Sequence, residues 1–147
     1  MAFDNKTLTR RWFEEVWNKK REAAIDEMLA AGAAVHGLSE SGEDLAGPEA
    51  FRRFYRQFRS GFPDIRVTVD QVIGEGDMTA ARFSAYGTHS GDGVGIRATG
   101  RPVRVSGMVM VRWKDGKIVE GWNEFDAAGL MRQLTAPAAV QPLKLRA

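Results

Sequence analysis

The chain has 147 residues, the length of one domain, and its 44% hydrophobic and 27% charged composition with 16 glycines excludes disordered and collagen-like classes. It has no cysteine and only two histidines, His36 and His89, which excludes disulfides, thiolate nucleophiles and cysteine-containing zinc sites; no metal and no cofactor is expected. A net charge of +2 from 21 basic and 19 acidic side chains gives no reason to expect a nucleic-acid partner.

The N-terminus, MAFDNKTLTRRWFEEVW, lacks an apolar targeting core. The longest bland stretch, MLAAGAAVHGL, is far short of the roughly 20 residues that span a bilayer, so a cytoplasmic protein with no membrane partner is expected. Leu8, Trp12, Phe13, Val16 and Trp17 recur at helical spacing with charges between them, predicting an amphipathic first helix that Asn18 and the following charges interrupt. A shorter helix follows around residues 23–29, then a short strand through Val35 and His36. The third helix is the clearest: Phe51, Phe54, Tyr55, Phe58 and Phe62 share one face behind a Gly47-Pro48 start, and Arg52, Arg53, Arg56 and Arg59 lie opposite.

After Pro63 the period switches to two. Ile65, Val67, Val69 and Ile73 share a face on which Gln71 is a polar intruder, and the next strand places Thr79, Ala81, Phe83, Ala85, Gly87 and His89 on one parity. The glycine-rich stretch SGDGVGIRATGR reads as a flexible loop between strands; its GDGVG opens no helix and so lacks the N-terminus a phosphate would need.

The segment VSGMVMVRWKDGKIVEGWNEFD reads as a hairpin. A three-residue Lys114-Asp115-Gly116 loop matches apolar face to apolar face, opposing Val111 to Val119, Val109 to Gly121 and Gly107 to Asn123; a two-residue Asp115-Gly116 turn would oppose Val111 to Glu120. Asp126 then caps a closing helix, and the residues after 135 read as a loosely held tail. The whole is a single α+β domain over residues 1–135, a meander of curved antiparallel strands with helices covering one face.

Asn123 shares its parity with Val103, Val105, Val109, Val111, Val119 and Phe125, and Gly107 and Gly121 beside it add no side chains. One polar amide in an apolar wall with space next to it describes the floor of a ligand cavity; a structural asparagine bonded to backbone describes it equally well. His36 and His89 are the candidate bases, and Trp17, Tyr55, Phe58, Phe83, Gly107, Val109 and Phe125 the candidate wall for a small hydrophobic molecule. The basic segments 52–66 and 97–117 would favour an acidic or enolate ligand if they bordered the mouth. On the outer face, Met108, Met110 and Trp122 among Arg104, Arg112 and Glu120 predict a homodimer packed sheet against sheet.

The segments RRWFEEVWNKKREAAIDEML, GPEAFRRFYRQFRSGFPDIRVTVDQVIGEGD, GTHSG and TGRPVRVSGMVMVRWKDGKIVEGWNEFDAAGLMRQL resemble, in order and spacing, the SnoaL-like polyketide cyclase (ester cyclase) family over about residues 8–134. The resemblance implies the cone-shaped α+β roll of the nuclear-transport-factor-2-like, cystatin-like and ketosteroid-isomerase-like folds, a deep apolar pocket, and a cofactor-independent acid–base reaction on a carbonyl or polyketide-like substrate. The family's base is an aspartate on the last strand. Its place is taken here by Asn123, with Gly107 and Val109 where the cyclases carry polar partners. A carboxamide cannot accept a proton at neutral pH. The readings left open are an enzyme in which Asn123 bonds a developing oxyanion and His36 or His89 is the base, a non-catalytic ligand-binding protein, and a dimeric interaction module.

Overall fold

A computed structural model describes residues 4–137; the tail expected from residue 136 therefore lies, beyond Pro137, outside the described residues. Helix α1 (Asn5–Trp12) starts at Asp4, whose carboxylate accepts from the backbone N–H groups of Lys6 and Thr7. It continues as a wider π-helical stretch over Phe13–Asn18, buried through Phe13, Val16 and Trp17. Asn18 ends that stretch for a physical reason. Its amide accepts from the Val67 N–H at 2.7 Å and donates to the Val67 carbonyl at 2.9 Å, pinning the helix to a strand 49 residues away.

After α2 (Ala23–Met28) come β1 (Leu29–His36), β2 (Leu45–Ala46), α3 (Gly47–Gly61), β3 (Arg66–Glu75), β4 (Met78–Thr88), β5 (Pro102–Lys114), β6 (Lys117–Phe125) and α4 (Ala127–Thr135). The six strands form one curved sheet in the order β2-β1-β6-β5-β4-β3. It is mixed rather than purely antiparallel. Strand β1 runs parallel to β6, pairing Val35 with Gly121 and His36 with Trp122, because α3 and the whole meander intervene as the crossover.

Two bulges correct the expected strand faces. On β3, Val69 pairs with Phe83 but Gln71 with Arg82, so Asp70 is one residue too many for its partner strand. Beyond it the faces exchange: Val72 packs against the core and Ile73 is 61% exposed. The polar intruder Gln71 is therefore on the outer row. The β5–β6 hairpin turns through two residues, Asp115 at φ 51° and Gly116 at φ 79°, pairing Lys114 with Lys117 and Trp113 with Ile118. Val119 is then the extra residue, and beyond it Arg112 faces Glu120, Val109 faces Asn123 and Gly107 faces Phe125. The expected three-residue loop is absent. Asn123 keeps the core-facing parity, but Val119 gives up its place there to Ile118, and Asn123 neighbours Val109 instead of Gly107.

Helices α1 and α3 lie on the concave face, where Trp17 meets Tyr55 at 5.0 Å and Phe51, Phe54 and Phe58 edge-on. A buried polar knot ties α1 to the sheet: the Thr9 and Thr79 hydroxyls are 2.8 Å apart and the Trp113 indole N–H donates to both. Helix α4 begins at Asp126, which accepts from the Gly129 N–H, and buries Leu130 and Leu134. The glycine-rich loop is tied down. The N–H groups of Ser90 and Gly91 both donate to the Gly61 carbonyl at the end of α3, and a Cβ on Gly91 would lie 1.8 Å from the Ser60 carbonyl oxygen.

Arg52 pairs with Glu22, Asp26 and Glu49, Arg56 with Glu22, and Arg59 donates to the carbonyls of Trp17 and Pro63. On the convex face Met108 and Met110 are half exposed, the patch on which the dimer expectation rests. No helix among the described residues is long and apolar enough to cross a membrane.

Candidate functional site

Between the concave sheet and its helices lies a cavity of about 120 Å³. Trp17, Phe54 and Phe58 wall it from the helical side, Phe83, Ala85, Val105, Val109 and Val111 from the sheet, Leu130 from α4, and Asn123 and Phe125 from β6. No aspartate, glutamate, histidine, lysine or arginine lines it among the described residues. Its two glycines differ. A Cβ on Gly121 would meet nothing nearer than the Met110 carbonyl at 3.9 Å, so that position leaves open space. At Gly107 a Cβ would fall 2.7 Å from the Phe83 ring and 2.9 Å from the Phe125 Cβ: the room beside it is filled by two aromatic residues, and Gly107 is not in the wall.

Of the expected wall residues, Trp17, Phe58, Phe83, Val109 and Phe125 are therefore brought together with Asn123. Tyr55 is 1% exposed behind Trp17, and its hydroxyl donates to the Val16 carbonyl at 2.8 Å. Leu130 was not anticipated as a wall residue, although its apolar spacing with Leu134 on a capped helix is a sequence signal for it.

Neither histidine ring lines the cavity. His36 follows Val35 at the end of β1 and shares the parity of Glu120 and Trp122 on the opposite face of the sheet. There its Nε2 is 2.7 Å from Glu120, its Nδ1 2.7 Å from Asp44, and its ring stacks on Trp122 at 5.6 Å. His89 is fully buried against Phe62, with ring centroids 5.3 Å apart. Its Nδ1 accepts from the Thr99 N–H, which assigns the proton of a neutral ring to Nε2, and Nε2 is buried without a partner among the described residues. Among the described residues, neither histidine expected as a base is thus part of the cavity wall.

The hydrogen bond to Glu120, then that to Asp44, raises the His36 pKa above the ordinary 6.5. A raised folded-state pKa makes this cluster's stabilisation complete below 6.5 and lost as pH rises through the raised value. Urea denaturation over that window is expected to show stability falling with pH, with the slope reduced in His36→Gln. Equal slopes in the two proteins would refute the pairing.

Asn123 is half-buried, and its Nδ2 donates to the His36 carbonyl at 2.9 Å. The side chain of His36 and its backbone carbonyl therefore serve opposite faces of the sheet.

The model of the SnoaL-like polyketide cyclase family matches residues 7–134. Aklanonic acid methyl ester cyclase DnrD of Streptomyces peucetius is 30% identical over 132 residues, covering 88% of this chain and 90% of that protein. The fold is similar to IdmH of Streptomyces antibioticus, with a TM-score of 0.78 and 29% identity over 90% of this chain and 99% of the other. A SnoaL-like protein from Jannaschia sp. CCS1 superposes with a TM-score of 0.82 at 23% identity, covering 94% of this chain and 99% of that one, a likeness of fold alone.

Proposed function

The chain belongs to the SnoaL-like polyketide cyclase family, and from that premise we propose that it is a cofactor-independent cyclase- or isomerase-type enzyme acting on a small hydrophobic, polyketide-like carbonyl compound. The observation that carries this reading is the cavity on the concave face, walled by aromatic and aliphatic side chains around one carboxamide. A relative named for cyclising a methyl ester supports a carbonyl substrate. With Asn123 at the position matched to the family's aspartate and both histidine rings outside the wall, the protein's part is to fold and desolvate the substrate. Holding reacting atoms in a near-attack geometry is worth up to about 7–11 kcal/mol in favourable cases, without any proton transfer by the protein. The second reading, a non-catalytic binding protein for a small hydrophobic ligand, is favoured by the lack of a carboxylate, imidazole or amine among the described lining residues.

Thermal-shift screening with polyketide esters and aromatic ketones is expected to find compounds that raise the melting temperature, since a ligand at a hundred times its Kd adds about 2.7 kcal/mol. Ala85→Trp, which places an indole in the cavity, should abolish the shift while the protein stays folded. A flat response of the parent protein across these compounds would overturn the proposal. Ring-closed or isomerised product from a stabilising compound separates the enzyme from the binding protein, which would return it unchanged.

A further inference from the structure

The cavity's one carboxamide has two chemically different ends, and the backbone decides which is free. The Asn123 NH₂ group donates to the His36 carbonyl at 2.9 Å; the flipped amide would set two oxygens against each other at that distance. The carbonyl is held in place from several sides. Gly37, at φ 87°, brings its backbone so close to that of Asn123 that a Cβ would lie 2.0 Å from the Asn123 backbone carbonyl oxygen. On the other face the His36 ring is clamped between Asp44 and Glu120. Two hydroxyls also belong to the lining: that of Thr9 is spent on the Asn5 carbonyl, Thr79 and the Trp113 indole, and that of Tyr86 sits on a residue 45% exposed.

We infer that Asn123 Oδ1 is the polarity-selecting group of the cavity and that it takes a neutral ligand bearing a hydroxyl donor, an enol, phenol or alcohol, in preference to an enolate or carboxylate. This rests on the cavity being the ligand site. An anion would meet a carbonyl oxygen of like partial charge in a wall that holds no cation among the described residues. A hydroxyl gives Oδ1 the hydrogen bond that an apolar neighbour would deny it. The oxyanion contact expected from sequence is thereby replaced: the amide end turned to the backbone is the donating one.

The test compares 1-naphthol with 1-methoxynaphthalene, equal in ring system but with the donor methylated, by calorimetric titration of the parent protein and of Asn123→Leu. The parent is expected to prefer the naphthol by about five- to tenfold, the worth of one neutral hydrogen bond. Asn123→Leu should retain the ether and lose the preference. Equal binding of both compounds by the parent, or a preference that survives in Asn123→Leu, overturns this inference and leaves the cavity reading standing. Failure of both compounds to bind the parent overturns the two together. Equal binding of the two compounds by the parent overturns the inference even if the leucine variant does not fold.

Discussion

Asn123→Asp is expected to create a carboxyl group that titrates above the ordinary aspartate range and to place a proton-abstracting group where the parent has a carboxamide. Two features of the site push the same way. The cavity wall is apolar and holds no cation among the described residues, so the ionised form is poorly solvated. The atom that replaces Nδ2 faces the His36 carbonyl, which offers an acceptor and no donor, so only the protonated acid keeps the bond seen in the parent. A carboxyl whose folded pKa is raised binds more protons folded than unfolded. Stability therefore falls as pH rises from the ordinary carboxyl value through the raised one, by about 1.4 kcal/mol for each pH unit between them. The same shift brings the base nearer neutrality, where general-base catalysis typically contributes about 10²–10⁴ in rate. Deuterium incorporation at the activated carbon of a 1,3-dicarbonyl ester should accelerate by that order over the parent. Carbon NMR of the labelled side chain reads the titration directly, and a midpoint at or below about 3.9 would overturn this expectation by showing that a donor of the wall or water solvates the carboxylate.

How much of this could be read from the residues depends on where the strands are regular. The face of α3, the N-cap at Asp126 and the parity of β4 follow from periodicity, because nothing interrupts the repeat within those elements. Asp70 and Val119 are different. Each is one surplus residue against a partner strand, and a surplus residue exchanges every face beyond it while leaving the composition of the segment unchanged. Gln71 was the visible trace of the first bulge: a polar residue on an apolar parity can mark a change of phase as well as a buried polar group. The second bulge left Asn123 facing inward, because a two-residue turn followed by one extra residue has the same parity as a three-residue loop. Periodicity could not place His36, whose short strand pairs in parallel with a segment 80 or more residues later. That pairing sends its ring to Glu120 and its carbonyl to Asn123, and no local pattern records it.

Gly37→Ala is expected to destabilise the protein by about 2–4 kcal/mol, combining a strained backbone with a clash that only main-chain movement can relieve. Gly42→Ala separates the two effects. Both glycines have similar positive φ, 87° and 84°, but a Cβ at Gly42 would meet nothing within 4 Å, whereas at Gly37 it would lie 2.0 Å from the Asn123 backbone carbonyl oxygen. The strain common to both should cost about 1 kcal/mol, which is what Gly42→Ala should show in urea denaturation. The excess at Gly37 is the cost of moving the end of β1 off β6, where His36 pairs with Trp122. That movement takes the His36 carbonyl away from Nδ2, so Gly37→Ala should also lose the preference for naphthol over its methyl ether, although it alters no side chain of the wall. A Gly37→Ala protein as stable as Gly42→Ala to within about 0.5 kcal/mol, the usual scatter for surface substitutions, would mean that the approach of β1 to Asn123 relaxes freely and does not hold the amide in place.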